Sequence, residues 1–372
     1  MAKAQSTPKP IIFLVGGGSG GHLVPLLALV PALKSAGWRP IVITGYSALE
    51  KQLVAETKVA TVSVLAGKWP RYFSWRLPLE LAKFGLGLLQ AFGLILKYQP
   101  RLILTKGGYL ALPMAMMTWL FGKPLIAHES DAELGLTNRL IARLARLVLV
   151  GYPVSTYPNQ WRAKLNFVGQ PLRQQPLPQQ PSRPVTGSRL PNLMVIGGSQ
   201  GAVALNSLIL EALPKLTEEL AVTHLTGQFD YARVQTASEG LSLAPDRYRL
   251  LSTLTAEKYY QALTEATIVV SRAGANSLAE LASWRKPSLV IPLPTAAQDH
   301  QRANARYFWQ REAIIYLEQA DLQAQPDRLA QEILSLLSKP ERRQELSRNI
   351  YKLATPKTID RIVELLQPWQ KG

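Results

Sequence analysis

Two segments of this chain, about 180 residues apart, follow one plan: an apolar strand, a turn crowded with glycine, then a helical pattern. The first runs from Ile11–Val15 into Gly16-Gly17-Gly18-Ser19-Gly20-Gly21-His22. The second runs from Leu193–Ile196 into Gly197-Gly198-Ser199-Gln200-Gly201-Ala202. Glycine admits positive φ and lets backbone N–H groups approach an anion at a helix start. One such turn constrains little. Two of them, each heading a series of apolar β-rich runs alternating with helical spacing, call for an α/β chain with parallel sheets covered on both faces. Seven candidate strands fall in the first half and six in the second, among them Thr61–Leu65, Asn166–Val168 and Ala313–Leu317. The expected architecture is two Rossmann-like domains with parallel sheets facing an interdomain cleft, an anion being held across it.

The alternation stops at Gly169–Pro191, where Pro and Gln replace apolar periodicity, so this stretch reads as a linker. The parse is residues 1–170 for the first domain, 171–191 for the linker and 192–355 for the second domain. A last helix within about 356–372, after Pro356, is expected to return to the first domain. A length of 372 residues suits such a division. With no cysteine there is neither a disulfide framework nor a thiolate site. The charge is lopsided: residues 1–180 carry 20 Lys/Arg against 6 Asp/Glu, and residues 181–372 carry 22 against 19. One half therefore faces an anionic partner. Met1–Pro10 has no apolar core of the signal-peptide kind, and the apolar run Leu77–Leu96 is broken by Glu80, Lys83 and Gln90, so no spanning segment is expected.

Gly16, Gly18 and Gly21 satisfy G-x-G-x-x-G, but a dinucleotide site also wants an acid at the end of the second strand. That strand ends Thr44-Gly45-Tyr46, with the nearest acid at Glu50, and no Gly-Lys-Ser/Thr follows the turn as a Walker loop requires. His22, directly after the turn, reads as a candidate general base, because a helix N-terminus disfavours the imidazolium; the plain alternative is a helix-start residue without chemistry. A third strand–turn–helix occupies Ser271–Glu280, and Asp299, Gln301 and Asn304 cluster near the start of a later helix.

With Lys106-Gly107-Gly108-Tyr109, His128-Glu129-Ser130-Asp131, Gly135-Leu136-Thr137-Asn138 and Gly169-Gln170-Pro171-Leu172-Arg173, these segments resemble, in order and spacing, the MurG family. Its members are bacterial transferases that add N-acetylglucosamine to undecaprenyl-pyrophosphoryl-muramoyl-pentapeptide. The resemblance extends from about Ile11 to Leu366. It implies a GT-B fold, the acceptor on the first domain and UDP-N-acetylglucosamine on the second. On the donor side it implies Glu280 at the ribose hydroxyls, Ser199, Gln200 and Arg173 at the diphosphate, Gln301 and Asn304 at sugar hydroxyls, and Arg272 at the uracil end. On the acceptor side it implies Ser19, Gly20 and Gly21 around the pyrophosphate, His22 beside the attacking sugar, and Tyr109, Glu129, Asp131 and Asn138 as further polar contacts. Many members read His-Glu-Gln-Asn where this chain has His128-Glu129-Ser130-Asp131, so Asp131 and Glu129 compete with His22 for the role of base. The implied reaction is attack of the acceptor 4-hydroxyl on the anomeric carbon with inversion, with no cofactor and no metal.

The segment Lys68-Trp69-Pro70-Arg71-Tyr72-Phe73-Ser74-Trp75-Arg76 interleaves aromatic and basic residues, and the helical pattern after it carries Leu79, Phe84, Leu88 and Phe92. Such a mixture suits the headgroup layer of an anionic leaflet, and Trp119 extends it. The expectation is a peripheral enzyme at the cytoplasmic face of the inner (plasma) membrane. The basic residues are scattered and form no nucleic-acid motif, so nucleic acid is not an expected partner. The competing reading is a related glycosyltransferase that acts on another lipid, such as a diacylglycerol.

Overall fold

The structure is a computed structural model and describes residues 8–55, 57–67, 75, 77–173, 190–198, 202–241, 243 and 246–371. The chain divides into two compact units, residues 1–174 with 357–372, and residues 175–356. The greater part of the expected linker, 174–189, lies outside the described residues.

The first unit holds a seven-stranded sheet: β1 (Ile11–Val15), β2 (Arg39–Thr44), β3 (Ala60–Ser63), β4 (Leu102–Thr105), β5 (Leu125–Glu129), β6 (Leu147–Val150) and β7 (Leu165–Phe167). Their order is β3-β2-β1-β4-β5-β6-β7 and every pairing is parallel. Central strands such as β1 and β4 are buried nearly end to end, which is why they read as continuous apolar runs rather than alternating ones. The chain order reverses on either side of β1, so the connections at β1 and β4 run off in opposite directions while the strands stay paired to Val15 and Thr105; a doubly wound sheet binds its ligands at the C-terminal ends of strands at such a point. Strand β3 is shorter than the sequence suggests. Its last bond to β2 is from the Val64 amide to the Thr44 carbonyl at 2.8 Å, and the next amide, Leu65, is taken by the Gln90 side chain at 2.7 Å.

The helices of this unit include α1 (Gly20–Ser35), α2 (Ala48–Ala55), α3 (Leu77–Tyr98), α4 (Ala111–Leu120) and α5 (Leu136–Leu144). Leu23, Leu26, Leu29 and Leu33 of α1 join β1 and β4 side chains in one core, and Ile359, Ile362, Val363 and Leu366 complete it from the other end of the chain. Their helix, Thr358–Leu366, is fastened by Thr358 Oγ1 donating to the Val168 carbonyl at 2.9 Å. Helix α3 has a mean hydropathy of 1.6 in its most apolar stretch and is long and apolar enough, by length and composition, to cross a membrane. Its polar residues are nonetheless engaged within the unit, Gln90 with Leu65 and Lys83 with Glu80 at 2.7 Å. Gly87, Ala91 and Ile95, one every four residues, form its buried stripe.

The second unit holds six parallel strands: β8 (Asn192–Ile196), β9 (Ala221–Leu225), β10 (Tyr248–Leu251), β11 (Ile268–Ser271), β12 (Ser288–Val290) and β13 (Ile315–Tyr316). Their order is β10-β9-β8-β11-β12-β13, the same winding as in the first unit. Ala313–Leu317 contributes only two residues of strand, since a single edge pairing with β12 engages it. The helices Val203–Glu219 and Asp327–Leu337 cover one face, with Leu205, Leu213, Leu329 and Ile333 buried against Val195 and Val270.

Candidate functional site

At the C-terminal edge of the first sheet, the glycine turn after β1 is shaped from outside by Glu50. Its Oε1 accepts from the Gly18 amide at 2.8 Å and the Gly45 amide at 3.2 Å; its Oε2 accepts from the Ser47 amide at 3.0 Å and hydroxyl at 2.6 Å. Burial raises the Glu50 carboxyl, but these hydrogen bonds outweigh it and hold it below the ordinary carboxylate range. Glu50 is therefore a buried anion that already occupies the Gly18 amide. An incoming phosphate is left the amides further on, from Ser19 into α1. The sequence carried a signal for this: Ser47-x-x-Glu50 is a capping box, and Ser47 Oγ in turn accepts from the Glu50 amide at 3.3 Å.

Gly18 has φ +89°, a value that favours glycine, and a Cβ there would meet the Tyr109 ring at 2.6 Å. Gly107 and Gly108, at φ +79° and +80°, make the matching turn after β4; a Cβ on Gly108 would lie 3.0 Å from the Gly17 carbonyl. The two turns are thus pressed together with half-buried His22 beside them. His22 Nδ1 lies 3.2 Å from both the Gly17 carbonyl oxygen and Ser19 Oγ. A carbonyl only accepts, which favours a proton on Nδ1 and leaves the lone pair on Nε2, the tautomer a base uses.

The end of β5 supplies the carboxylates. Glu129 is nearly enclosed, and three donors meet it: the Asp131 amide at 3.0 Å, the Gly135 amide at 2.9 Å and Asn138 Nδ2 at 2.9 Å. Burial, then the neighbouring Asp131, push its carboxyl up while those hydrogen bonds oppose them. Glu129 is engaged in holding the 129–138 loop. Asp131 is half-buried, and its main chain is pinned at both ends, the amide by Glu129 and the carbonyl by the Tyr157 hydroxyl at 2.8 Å. Asn138 Oδ1 is buried with no hydrogen-bond partner among the described residues, and a Cβ on Gly107 would lie 2.6 Å from it. Ser19, Gly20, Gly21, His22, Tyr109, Glu129, Asp131 and Asn138 accordingly share one edge of one sheet. Arg173 is half-buried at the end of the segment that follows β7.

In the second unit Ser199 and Gln200 lie outside the described residues; Gly198, just before them, has φ +90°. Glu280 stands on the helix Ala275–Ser283, where Oε2 accepts from the Tyr259 hydroxyl at 2.8 Å and Oε1 from the Tyr260 hydroxyl at 3.4 Å. Tyr260 is itself stacked on Trp284, ring centroids 4.5 Å apart and 10° from parallel. Burial, then the Glu280 charge, keep the Tyr259 hydroxyl protonated well above the usual range. Neither tyrosine was singled out from the sequence, since a tyrosine pair in a helical stretch carries no mark of its partner.

Two donor-side candidates make hydrogen bonds within the protein. Arg272 is almost wholly buried and donates to the carbonyls of Ile291 and Pro292 at 3.1 and 3.2 Å and to Gln319 Oε1 at 2.7 Å. It secures the segment after β12 instead of presenting its guanidinium outward. Asn304 has 0% exposure and donates to the Ala273 carbonyl at 3.1 Å, so it braces the turn after β11. Gln301 Oε1 accepts from the Leu293 amide at 2.9 Å. Between these, Gln298 and Asp299 are consecutive non-glycine residues at φ +52° and +57°, backbone strain of the kind that gathers at ligand sites.

Residues 12–150 match the glycosyltransferase family 28 N-terminal domain and residues 192–362 its C-terminal domain. Over 354 residues the chain is 35% identical to the UDP-N-acetylglucosamine–N-acetylmuramyl-(pentapeptide) pyrophosphoryl-undecaprenol N-acetylglucosamine transferase of Alkalilimnicola ehrlichii, covering 93% of this chain and 95% of that one. It is 33% identical to the protein of the same name from Nitrosomonas eutropha, over 95% and 98% of the two chains. Among solved structures it superposes on MurG of Acinetobacter baumannii with a TM-score of 0.72, 24% identity and coverage of 96% and 100%. The two parallel-sheet units are those of the GT-B fold.

Proposed function

The chain belongs to the family of UDP-N-acetylglucosamine–N-acetylmuramyl-(pentapeptide) pyrophosphoryl-undecaprenol N-acetylglucosamine transferases, and from that we propose how its residues divide the reaction. It is a glycosyltransferase that moves N-acetylglucosamine from UDP-N-acetylglucosamine to a lipid-linked muramoyl-pentapeptide, a step of peptidoglycan synthesis. The observation that carries this reading is kinship across nearly the whole of both chains.

The acceptor pyrophosphate takes the amides around Ser19, Gly20 and Gly21, beyond the one Glu50 has claimed. The 4-hydroxyl gives its proton to a base as it attacks the anomeric carbon, and UDP departs from the opposite face with inversion. With Glu129 engaged by three donors, that base is His22 through Nε2 or Asp131. Glu280 accepts from the ribose hydroxyls. The leaving diphosphate is met by Ser199, Gln200, the N-terminus of the helix Val203–Glu219 and Arg173. These groups supply the positive potential that a metal would otherwise provide, so the reaction is metal-independent in this reading. Release of UDP from UDP-N-acetylglucosamine is expected only with a muramoyl-pentapeptide lipid acceptor, and undiminished in EDTA. Turnover with a diacylglycerol and another UDP-sugar, and none with the muramoyl lipid, would overturn the assignment.

The enzyme acts as a peripheral membrane protein. Exposed apolar side chains crowd α3 and the end of α4: Leu79, Leu89 at 69%, Phe92 and Leu96, with Trp119 at 63% and Leu120. The Phe92 and Phe121 rings, 5.3 Å apart, bind the two helices into one face. Trp75 is 92% exposed; the rest of the basic and aromatic stretch from Lys68 to Arg76 lies outside the described residues. In our reading this face rests on the anionic cytoplasmic leaflet of the inner membrane, toward which the basic half is drawn. Each large apolar group buried contributes about 1.5–3 kcal/mol. The double variant Leu89→Glu, Trp119→Glu is therefore expected to lose co-flotation with phosphatidylglycerol vesicles while keeping its affinity for UDP. Unchanged flotation would exclude this face.

A further inference from the structure

Lys106 is the first residue after β4, and its side chain turns inward until only 2% of it is exposed. Its Nζ lies 2.9 Å from His128 Nδ1 and 3.5 Å from Gln170 Oε1. Those contacts settle the state of His128. An ammonium or amine nitrogen donates to Nδ1, so Nδ1 bears the lone pair, and the proton on Nε2 goes to the Gly169 carbonyl at 3.0 Å. Burial, and after it the Lys106 charge, hold the imidazole well below its ordinary value, in keeping with that neutral form. Gln170 passes the linkage on, its Nε2 donating to the Ser130 carbonyl. Three chain segments are therefore joined through one nitrogen: the turn after β4, the end of β5 with Ser130 and Asp131, and Gly169–Gln170 on the way to Arg173.

We propose that Lys106 is a positioning residue of the acceptor side, whose donors act through His128 and Gln170 to fix the Ser130–Asp131 main chain where the acceptor is bound. The substrate named in this proposal rests on the function proposed above; the network itself does not. Burying an ammonium is costly, which is why its value is brought down to about 7, with Glu129 and Asp131 acting against that fall. A leucine or methionine would fill the space without the cost. What lysine adds is a donor for His128 Nδ1 and a cation near the Glu129 and Asp131 carboxylates.

The test uses the full-length enzyme and the variants Lys106→Met and Gln170→Glu. The chain has four histidines, so imidazole nitrogen NMR with His128 assigned by substitution reads the network without any turnover. In the wild type His128 is expected to remain neutral, with its proton on Nε2, from pH 8 down to pH 5. In Lys106→Met its Nδ1 signal shifts, and its titration rises toward the ordinary histidine range. Both variants should lose about 10²-fold in acceptor-dependent kcat, the scale of a one-ångström misplacement, while KM for UDP-N-acetylglucosamine stays at the wild-type value. Wild-type kcat together with an unaltered His128 spectrum in Lys106→Met would overturn the proposal. So would loss of the cooperative thermal transition in both variants, because the network would then support the fold and not the loop. A wild type inactive toward the muramoyl lipid would count against the proposed function alone, leaving the His128 spectrum to decide this one.

Discussion

His22→Ala is expected to lower acceptor-dependent kcat by about 10²–10⁴-fold, the range a general base supplies, with little change in KM for the donor. The reason is geometric. Nδ1 is directed at the Gly17 carbonyl, the turn is braced from behind by Glu50 through Gly18, and Gly108 lets the second turn close over the ring. Nε2 thereby carries the lone pair of the neutral ring, at the edge of the sheet where Ser19, Gly20 and Gly21 sit. Asp131→Asn tests the other candidate while keeping size and polarity. If His22 is the base, Asp131→Asn should cost far less than His22→Ala, and the acid limb of the kcat profile against pH should disappear only in the histidine variant. The opposite ranking would transfer the role to Asp131, whose main chain is held at both its amide and its carbonyl. Glu129→Gln serves as the control. Its carboxylate already accepts from three donors, so its loss should appear as a destabilised 129–138 loop with a lowered thermal midpoint, and leave the shape of the pH profile alone.

For Glu280→Gln, KM for UDP-N-acetylglucosamine should rise about 10- to 100-fold, matching the ~1.5–3 kcal/mol of hydrogen bonds to a charged group. A glutamine keeps the shape but can accept through one atom only, so it cannot serve two ribose hydroxyls and two tyrosines together. Tyr259→Phe should reproduce a smaller share, about tenfold or less, because it removes the 2.8 Å donor that orients Oε2 without removing the charge. The discriminating measurement is the penalty for a 2′-deoxyribose donor. That penalty should be large in the wild type and nearly absent in Glu280→Gln. A Glu280 variant that still rejects the deoxy donor would place ribose recognition elsewhere.

Much of this architecture could be read along the chain. Strands buried on both faces declare themselves as unbroken apolar runs, and tight turns before helices declare themselves as glycine, because each is a local demand of backbone sterics and burial. The seven and six strands, the two turns and His22 at the head of α1 are all of this kind. The occupancy of each polar group is not. A glutamate looks the same in a sequence whether it faces substrate or is saturated by its own protein. Here Glu50 is taken up by an amide 32 residues away, His128 by a carbonyl 41 residues on, Lys106 by a glutamine 64 residues on, and Glu280 by a tyrosine 21 residues back. Those pairings arise only when the fold brings distant strand ends and helices side by side, so the amino-acid sequence by itself determined the frame and the list of reactive groups. Tertiary structure decided which of them are engaged as struts, such as Glu129, Arg272 and Asn304. The cause is that a hydrogen bond satisfies its partner wherever in the chain that partner lies, and leaves no local trace.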